Sequence, residues 1–339
     1  MLNFGLIGCG THARWAVLPA ITKTPCCRLI AAADVLEDAL EAVEEKSVAR
    51  YTDYRAMLAN ERLDAVYVAT PCEAHAEATI AALQAGCHVV CEKPMGMNAG
   101  ECRQMNAAAR TAGKQLIIDF ESRYIPAYQQ IRAWIAAGRL GTVRAVHIDH
   151  FWDGHKSFGA LAERRKRLSQ ASGCLDCGIH QLDLTRFFLG GGEWQEIHAL
   201  GEWFGEELNY PPHIAILARL SPGIIVTLNA SFAYTAYITQ QTSYHGLAIV
   251  GDRGVIALAP DAEGKATFKL VSETATESCG LVDADHAEVI PRVLTELDAV
   301  VNDGRPLPPF LATGEDGLMA QIIVDEANRQ AVERRTIRS

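Results

Sequence analysis

Short apolar runs alternate with amphipathic segments over the first third of the chain. Apolar runs of this kind are expected as strands, and the segments between them as helices. The strands are predicted at 3–7, 28–33, 65–69, 88–91 and 115–119, and the helices at about 12–22, 37–47, 73–85 and 99–112. Apolar strands separated by helices of this length are typical of βαβ units, so the pattern predicts an α/β domain with a doubly wound parallel sheet.

The pattern changes after residue 121, where strands begin to follow one another without helices between them. The expected elements are a helix at about 126–137, a strand at 143–152, a helix at about 175–189 and extended runs at 214–220, 224–232 and 247–250. The turn sequences SPG at 221 and GDRG at 251 separate several of these runs. Successive strands favour a large, mainly antiparallel open sheet, so the sequence predicts a second, α+β domain.

We place the two domains at 1–121 and 122–339. The chain of 339 residues exceeds the length at which one hydrophobic core usually stops growing, which supports a division into two. Late helices are expected at about 286–302 and 314–333, and one of them can pack back on the first domain.

The charge balance argues against nucleic-acid and membrane partners. Basic residues number 31 and acidic residues 41, so the net charge of -10 offers no cationic surface to a polyanion or an anionic membrane. No apolar stretch reaches the roughly 18 residues that a spanning helix needs. The beginning, MLNFGLIGCG, lacks the basic start of a signal peptide, and the ten cysteines are then typical of reduced thiols. We expect a cytoplasmic protein without disulfides that binds a small polar molecule.

The string GLIGCGTHA forms a glycine-rich turn between the first strand and the first helix. It places Gly8, Gly10 and Ala13 in a G-x-G-x-x-[GA] pattern, with Thr11 and His12 inside it. Glycines let the backbone approach a pyrophosphate closely, and the amino terminus of the helix offers free N–H groups to it. The turn therefore predicts dinucleotide binding; a purely structural glycine turn is the alternative.

Asp34 ends the second strand and bears on the choice of dinucleotide. A carboxylate at this place accepts hydrogen bonds from both ribose hydroxyls of NAD, and it repels the 2′-phosphate of NADP. The next residues, Val35 and Leu36, supply no cation for such a phosphate. NAD is therefore favoured over NADP.

The strand at 88–91 runs into the sequence EKP, which contains Lys93. In an open parallel sheet, ligands collect beyond the carboxyl ends of the strands, so Lys93 is expected near the nicotinamide. A desolvated lysine beside a cationic ring can have its pKa lowered toward neutrality and act as an acid or a base. The alternative is a surface lysine paired with Glu92.

Six motifs follow one another over nearly the whole chain: GLIGCGTHA, ATP with His75 (69–75), EKP (92–94), FESRYIPAY (120–128), SGCLDCGIHQLDL (172–184) and TGEDG (313–317). In this order they resemble the glucose-fructose oxidoreductase / inositol dehydrogenase / MocA family, and EKP with D-x-x-x-H is more specific than the glycine turn. The resemblance implies a Rossmann domain and an α+β domain whose open sheet forms dimers or tetramers. It also implies oxidation or reduction of CH–OH groups of sugars and cyclitols by a pyridine nucleotide.

Carried over to the matching positions, the resemblance implies that Lys93, Asp176 and His180 are the catalytic residues. It places a further group of residues along the cofactor: Thr70, Pro71, His75 and Glu92. It puts Arg123 and Tyr124 near the junction of the cofactor and substrate pockets.

The stretch GCLDCGIH, at 173–180, permits a metal site, a thiol redox pair or a proton-transfer group. Asp176 and His180 lie four residues apart, so they share one face of a helix that begins near Ser172. The positive end of that helix keeps His180 available as a neutral base. Asp176 then orients the substrate hydroxyl or the imidazole.

The two cysteines of this stretch, Cys174 and Cys177, are interpreted as small packing residues. Zinc needs four ligands, and no second C-x-x-C or H-x-x-x-H completes a set. A thiol redox motif is expected to open a helix after a thioredoxin-like strand, whereas here Asp176 occupies the interior. No metal is therefore expected.

Two further places are candidates for substrate binding. Trp152, at the end of the long strand, either stacks on the nicotinamide or a sugar, or packs in the core. The run ERRKR, at 163–167, is either a solvated helical face or a site where Arg164, Arg165 or Arg167 binds a carboxylate or phosphate of the substrate.

The sequence thus predicts an NAD(P)-dependent dehydrogenase or reductase of a sugar, cyclitol or sugar-derived compound. Lys93 and His180 would handle the proton. Two alternatives stay open: an NAD-dependent glycoside hydrolase that oxidises its substrate transiently, and a non-catalytic NAD-binding regulator. A homodimer or homotetramer through the C-terminal sheet is expected.

Overall fold

The structure is a computed structural model that describes residues 1–152, 172–204, 206–232, 244–281 and 286–335. It divides into two compact units. The first unit comprises Met1–Ile125 with Asp283–Leu318, and the second comprises Pro126–Val282 with Met319–Ser339. The predicted boundary after residue 121 stays a prediction, because compactness alone does not establish an independently folding domain.

The described strands and helices are numbered separately along the chain. The strands are β1 (Leu2–Ile7), β2 (Cys27–Ala33), β3 (Ala49–Tyr51), β4 (Ala65–Val68), β5 (His88–Glu92), β6 (Leu116–Asp119), β7 (Val143–Phe151), β8 (Trp194–Glu202), β9 (His213–Leu220), β10 (Ile224–Ser231), β11 (Tyr244–Gly251), β12 (Gly254–Pro260), β13 (Ala266–Ser272), β14 (Thr276–Gly280) and β15 (Ala312–Thr313). The α-helices are α1 (Leu18–Lys23), α2 (Glu37–Leu40), α3 (Tyr54–Asn60), α4 (His75–Gln84), α5 (Ala99–Ala112), α6 (Pro126–Ala136), α7 (Ile179–Leu189), α8 (His286–Asn302) and α9 (Gly314–Glu333). Wider π-helical turns occupy Ala13–Val17, before α1, and Cys174–Gly178, before α7.

The first unit is built on a seven-stranded sheet in the order β15-β6-β5-β4-β1-β2-β3. All its neighbouring strands run parallel except β15, which pairs antiparallel with β6. The strand order reverses at β1, which lies between β4 and β2. Ligands of doubly wound sheets bind at such a reversal, beyond the carboxyl ends of the strands, so the fold places the candidate site there.

The core of the first unit combines strand residues with a late helix. Leu2, Phe4 and Leu6 of β1 are buried together with Ile290 and Leu294 of α8. Burying a large apolar side chain contributes about 1.5–3 kcal/mol. Helix α8 is therefore an integral part of the first unit.

The second unit contains an eight-stranded sheet in the order β14-β13-β12-β11-β7-β10-β9-β8. The pair β7 and β10 is parallel, and the other neighbouring pairs are antiparallel. The predicted fold class, a Rossmann sheet plus a large and mainly antiparallel sheet, is therefore confirmed. Among the helices of the described ranges, none combines the length and apolar character that crossing a bilayer requires.

One predicted helix is wrong in extent. The pattern predicted a helix over 37–47, but α2 ends at Leu40. The chain then follows turns to β3, which pairs with residues 31–33 of β2. Val43 and Val48 are buried in the core from these turns. Apolar residues at helical spacing can therefore reach the core without forming a helix. Strand β3 and helix α3 were not predicted.

Candidate active site

The glycine turn follows β1 directly, and its two glycines have different constraints. Gly8 has a positive φ of 94°, and a Cβ there would lie 2.6 Å from backbone atoms of Ala69 at the end of β4. Gly8 is therefore required for the close approach of two strand ends. A Cβ on Gly10 would meet nothing within 4 Å. The space above Gly10 is open, as a pyrophosphate site requires.

Asp34 is held rigidly at the end of β2. Its Oδ2 accepts a hydrogen bond from the backbone N of Cys9 (2.7 Å), and its Oδ1 accepts one from the N of Leu36 (2.9 Å). Each carboxylate oxygen keeps capacity for a further hydrogen bond. The following residue, Val35, is exposed and brings no cation to the site. The glycine turn and this carboxylate together fit the pyrophosphate and ribose of NAD.

His12, inside the glycine turn, connects the turn to the end of β5. Its Nε2 lies 2.9 Å from Oε1 of Glu92, and its ring packs edge-on against Trp15 with 5.1 Å between centroids. Burial by itself lowers the pKa of His12, but the hydrogen bond and charge of Glu92 outweigh it and raise that pKa above its usual value. The turn is thus tied to the strand that leads into Lys93.

His75 joins the segments that follow β4 and β5. Its Nδ1 lies 2.7 Å from the carbonyl oxygen of Pro94, and its Nε2 lies 2.9 Å from that of Thr70. The side chain is buried, and burial lowers its pKa. A neutral imidazole has one N–H, so His75 donates to one of these two carbonyl oxygens and lies between the two loops of the first unit, while Pro71 is exposed.

Lys93 lies one residue beyond β5, half-buried, among carboxyl groups that interact with its charge: Glu92, Asp119 and Glu121. Burial alone would raise the pKa of Glu92. The hydrogen bond and charge of His12 outweigh burial, and the hydroxyl of Tyr67 and the charge of Lys93 act in the same direction, so the pKa of Glu92 lies below its ordinary value. Burial and then the charge of Glu92 raise the pKa of Asp119 well above its ordinary value. Lys93 therefore faces several acids that differ in protonation.

Glu121 belongs to the same acid cluster and titrates near neutrality. Burial raises its pKa to about 7, the charge of Lys93 opposes this shift, and the charge of Glu92 adds to it. Three members of this cluster are not predicted from the sequence: Glu121, Asp119 and Tyr67. The available signal was the placement of acids at the carboxyl end of a buried parallel strand, in the string DFE at 119–121.

In the second unit, Ser172 starts the helical segment that carries the predicted proton-handling residues. Its hydroxyl accepts a hydrogen bond from the N of Leu175 (3.0 Å) and another from Nδ2 of Asn328 (2.9 Å). The predicted helix start at Ser172 is confirmed. A π-helical turn then runs from Cys174 to Gly178, and π turns are frequent at functional sites. Asp176 lies in this turn and His180 in the first turn of α7, both half-buried.

Cys174 is fully buried, and burial raises the pKa of its thiol to about 12. Metal binding and thiol redox chemistry both need the thiolate form. The position therefore favours packing. A Cβ on the preceding Gly173 would lie 2.7 Å from the ring of Phe232, which shows how closely the segment is packed.

Three residues that were predicted to bind substrate lie in different surroundings: Arg123, Tyr124 and Trp152. Arg123 is buried and forms an ion pair with Asp316 (3.3 Å) in the TGEDG motif. Tyr124 is buried beside Phe310, and burial raises the pKa of its hydroxyl. Trp152 is half-buried and contacts Phe232 edge-on, with 5.4 Å between centroids.

Arg164 and the basic run at 163–167 lie outside the described residues. The TGEDG motif itself begins α9. The N of Thr313 donates to Oδ2 of Asp316 (2.9 Å), so Asp316 serves both the helix start and Arg123. The motif therefore has a structural explanation within the first unit.

Three features of the first unit define the class of NAD-binding oxidoreductases: a glycine-rich nucleotide turn, an acid at the end of the second strand, and a lysine among carboxyl groups just beyond the fifth strand. Comparison with known families agrees. An oxidoreductase family model with an NAD-binding Rossmann fold matches residues 2–120, and the GFO/IDH/MocA C-terminal domain matches residues 128–257. The chain belongs to the Gfo/Idh/MocA family and is an NAD(P)-dependent oxidoreductase.

Individual relatives align over most of their lengths. The chain is 28% identical to D-glucoside 3-dehydrogenase of Escherichia coli (strain K12) over 322 residues, which covers 87% of this chain and 86% of that protein. It is 29% identical to 1,5-anhydro-D-fructose reductase of Ensifer adhaerens over 336 residues, with 94% and 92% covered. A crystal structure of an oxidoreductase from Agrobacterium radiobacter, in complex with NAD+, L-tartaric acid and magnesium, superimposes with a TM-score of 0.83 at 19% identity, covering 99% and 98%. The predicted family, enzyme class and NAD cofactor are confirmed.

Proposed function

We propose that this protein interconverts a hydroxyl and a carbonyl group on a sugar, a cyclitol or a sugar-derived compound, with Lys93, Asp176 and His180 as catalytic residues. The relatives described above act on a glucoside and an anhydro sugar by name. The observation that carries the proposal is the lysine among buried carboxyl groups at the carboxyl ends of the parallel strands, beside the glycine turn. A polar substrate with several hydroxyls suits such surroundings.

The first unit supplies the groups that would hold NAD. The glycine turn, from Gly8 to Ala13 and including Gly10, Thr11 and His12, would receive the pyrophosphate, and Asp34 would accept the ribose hydroxyls. Thr70 has a buried hydroxyl without a hydrogen-bond partner among the described residues, so it can donate to the cofactor. Pro71, His75 and Glu92 would shape the loops around it. Bound NAD supplies the hydride acceptor and, in its reduced form, the hydride donor.

Lys93 would act on the oxygen of the reacting carbon. Its ammonium group can stabilise the negative charge that develops there, and it can return a proton when the carbonyl is reduced. Carboxylates beside Lys93 favour its charged form by Coulombic attraction. The acids of the cluster therefore support the role of an electrophile rather than that of a strong base.

His180 would take the proton of the substrate hydroxyl, and Asp176 would orient the imidazole or the substrate. Both lie in the helical segment that Ser172 begins, Asp176 in its π-helical turn and His180 in the first turn of α7. A neutral histidine is the form that can accept a proton. Arg123, Tyr124, Trp152 and Arg164 stay candidates for substrate binding.

A substrate panel tests the proposal. Polyols, aldoses and sugar acids are offered with NAD and with NADP, and nicotinamide absorbance is followed. With the best substrate, Lys93→Met and His180→Ala should lower kcat by roughly 100- to 10,000-fold. Their affinity for NAD, measured by calorimetry, should change far less. Lys46→Met, at an exposed lysine of the same unit, is the matched control.

Two results would overturn the proposal. One is turnover by both variants at the rate of the unmodified protein. The other is product formation without net change in nicotinamide absorbance, since that is the behaviour of a hydrolase that recycles its NAD.

We also infer that copies of the chain associate through one face of the eight-stranded sheet. Large apolar side chains are exposed on strands β8, β9, β10, β12 and β13: Leu200, Leu217, Ile225, Val255 and Val271. Exposed apolar groups on an open sheet face are typical of association surfaces. Leu217→Asp should dissociate the assembly in sedimentation experiments, and an unchanged sedimentation coefficient would exclude this face.

The free cysteines among the described residues suit the cytoplasm, where we place the protein.

A further inference from the structure

Three polar side chains meet in the interior of the first unit at the ends of strands β4, β5 and β6. Tyr67 is fully buried, Asp119 is 1% exposed and Glu92 is 8% exposed. Glu92 and Asp119 are register partners on neighbouring parallel strands, and Tyr67 pairs with Val90, two residues before Glu92. Because side chains alternate along a strand, all three lie on one face of the sheet.

The contacts among these three groups cannot all be hydrogen bonds if both carboxyl groups are ionised. The hydroxyl oxygen of Tyr67 lies 2.8 Å from Oε1 of Glu92, and it is also in hydrogen-bond contact with Oδ2 of Asp119. A tyrosine has one hydroxyl proton to donate, and a carboxylate only accepts. With two carboxylates, one of the contacts would set lone pairs against lone pairs. One further proton must therefore belong to the group.

The environments of the two acids locate that proton. Oε1 of Glu92 also faces Nε2 of His12 at 2.9 Å, and the charge of Lys93 lies nearby. Oδ1 of Asp119 is buried and has no hydrogen-bond partner among the described residues. An anion is costly where one of its oxygens is unsolvated and unpaired, whereas the same oxygen in a neutral acid carries little charge. The proton therefore belongs to Asp119.

We propose that Asp119 is a neutral carboxylic acid in the folded protein and that, with Tyr67, it is a positioning residue for Glu92 and the nucleotide turn. Asp119 donates to the Tyr67 oxygen, and Tyr67 and His12 both donate to Oε1 of Glu92. The positioning role rests on the proposed function, whereas the protonation of Asp119 does not.

The charged groups around this chain of hydrogen bonds agree with the assignment. Asp119 faces Glu92, Glu121, Tyr67 and Lys93. Burial, then Glu92 and Glu121, raise the pKa of Asp119 well above its ordinary value, and the hydrogen bond with Tyr67 and the charge of Lys93 oppose them only in part. Burial, then Asp119 and Glu92, raise the pKa of Tyr67 well above its ordinary value too, so the tyrosine keeps its proton.

Infrared spectroscopy tests the protonation on the protein alone. A protonated carboxyl group absorbs above the carboxylate bands and shifts in D₂O. At pH 8, the spectrum of Glu121→Gln should retain such a band, because this variant removes the acid that titrates near 7. The double variant Glu121→Gln with Asp119→Asn should lack it. A difference spectrum without this band would show that Asp119 is ionised and would overturn the assignment.

Calorimetric binding of NAD tests the positioning role. Asp119→Ala removes the donor to Tyr67 and should weaken NAD binding by roughly 5- to 30-fold, the effect of one lost buried hydrogen bond. Asp119→Asn keeps a neutral donor of similar shape and should restore the affinity to within about threefold. If Asp119 were an anion, asparagine would instead remove a charge beside Lys93 and change the pH dependence of NAD binding.

The outcomes separate this inference from the proposed function. Equal NAD affinity in Asp119→Ala and the unmodified protein would refute the positioning role. Loss of NAD binding in Asp119→Asn as severe as in Asp119→Ala would refute the donor role. The substrate panel measures turnover independently, so its failure would leave the infrared result unaffected.

Discussion

Replacing Glu121 with glutamine measures the electrostatic cost of the acid cluster around Lys93. Glu121 is half-buried, and Ser122 Oγ lies 3.2 Å from its Oε1. Burial raises its pKa from an ordinary value of 4.5 to about 7. Glutamine has nearly the same shape and cannot ionise, so the variant isolates the charge.

The sign and size of the effect follow from linkage between protonation and folding. An acid whose pKa is raised by folding stabilises the folded state fully below its unfolded pKa, and this contribution is lost as the pH rises through the folded pKa. For Glu121 the window is therefore between 4.5 and about 7. That difference, at about 1.4 kcal/mol per pH unit, corresponds to roughly 3 kcal/mol as an upper bound. Because the side chain is partly exposed, solvent screening reduces it to about 1–2 kcal/mol.

Urea unfolding at a series of pH values is the appropriate assay. The free energy of unfolding of Glu121→Gln, minus that of the unmodified protein, should rise between pH 5 and about pH 7 and then level off. Glu44→Gln, at an exposed glutamate of the same unit, controls for loss of one surface charge. The infrared band of Glu121 should disappear over the same pH range.

A constant difference between the two proteins from pH 5 to pH 8 would refute the reasoning, even if the variant were more stable throughout. A pH-independent gain reports changed packing or hydrogen bonding, not ionisation. A difference that falls with pH would mean that attraction to Lys93 outweighs burial.

Two further predictions concern the nucleotide site. Gly8→Ala should lower the melting temperature because its Cβ would meet the backbone of Ala69 at 2.6 Å, and an unchanged melting temperature would contradict this. Gly10→Ala, in open space, should unfold normally but bind NAD roughly tenfold more weakly or worse, and an unchanged affinity would contradict this. Asp34→Asn removes the charge that would face the ribose, so NAD should bind roughly tenfold more weakly while NADP gains relative to it. An unchanged NAD-to-NADP ratio in calorimetry would show that Asp34 does not select the cofactor.

Much of the fold could be predicted because its strands and helices have strong local patterns. The strands β1, β4 and β5 are mainly apolar, and helices α5 and α8 have the bounds predicted from the sequence. The glycine turn was recognisable because Gly8 has a positive φ and lies close to the backbone of Ala69, constraints that few residues can meet. Local patterns of this kind depend on neighbours in sequence, which is why reading along the chain detects them.

The acid cluster could not be predicted because it depends on strand order. Tyr67, Glu92 and Asp119 belong to three different strands, and their contact requires β5 to lie between β4 and β6 with the observed register. Tyr67 by itself is indistinguishable from an ordinary aromatic core residue. Similarly, nothing local in the TGEDG motif indicates that Asp316 pairs with Arg123, which lies 193 residues earlier.

The three acids near Lys93 can be accommodated because each meets the cost of burial in a different way. Glu92 is ionised and paired with His12, Asp119 in the proposal above keeps its proton and donates to the Tyr67 oxygen, and Glu121 changes its charge near neutral pH. Three buried carboxylates around one ammonium would leave an excess of negative charge with too few partners, which is strongly destabilising. One permanent carboxylate leaves Lys93 charged, and the titration of Glu121 makes the surplus of negative charge around it depend on pH. If the proposed role of Lys93 is right, turnover and stability should therefore change over the same pH range, and Glu121→Gln should remove that shared dependence from both.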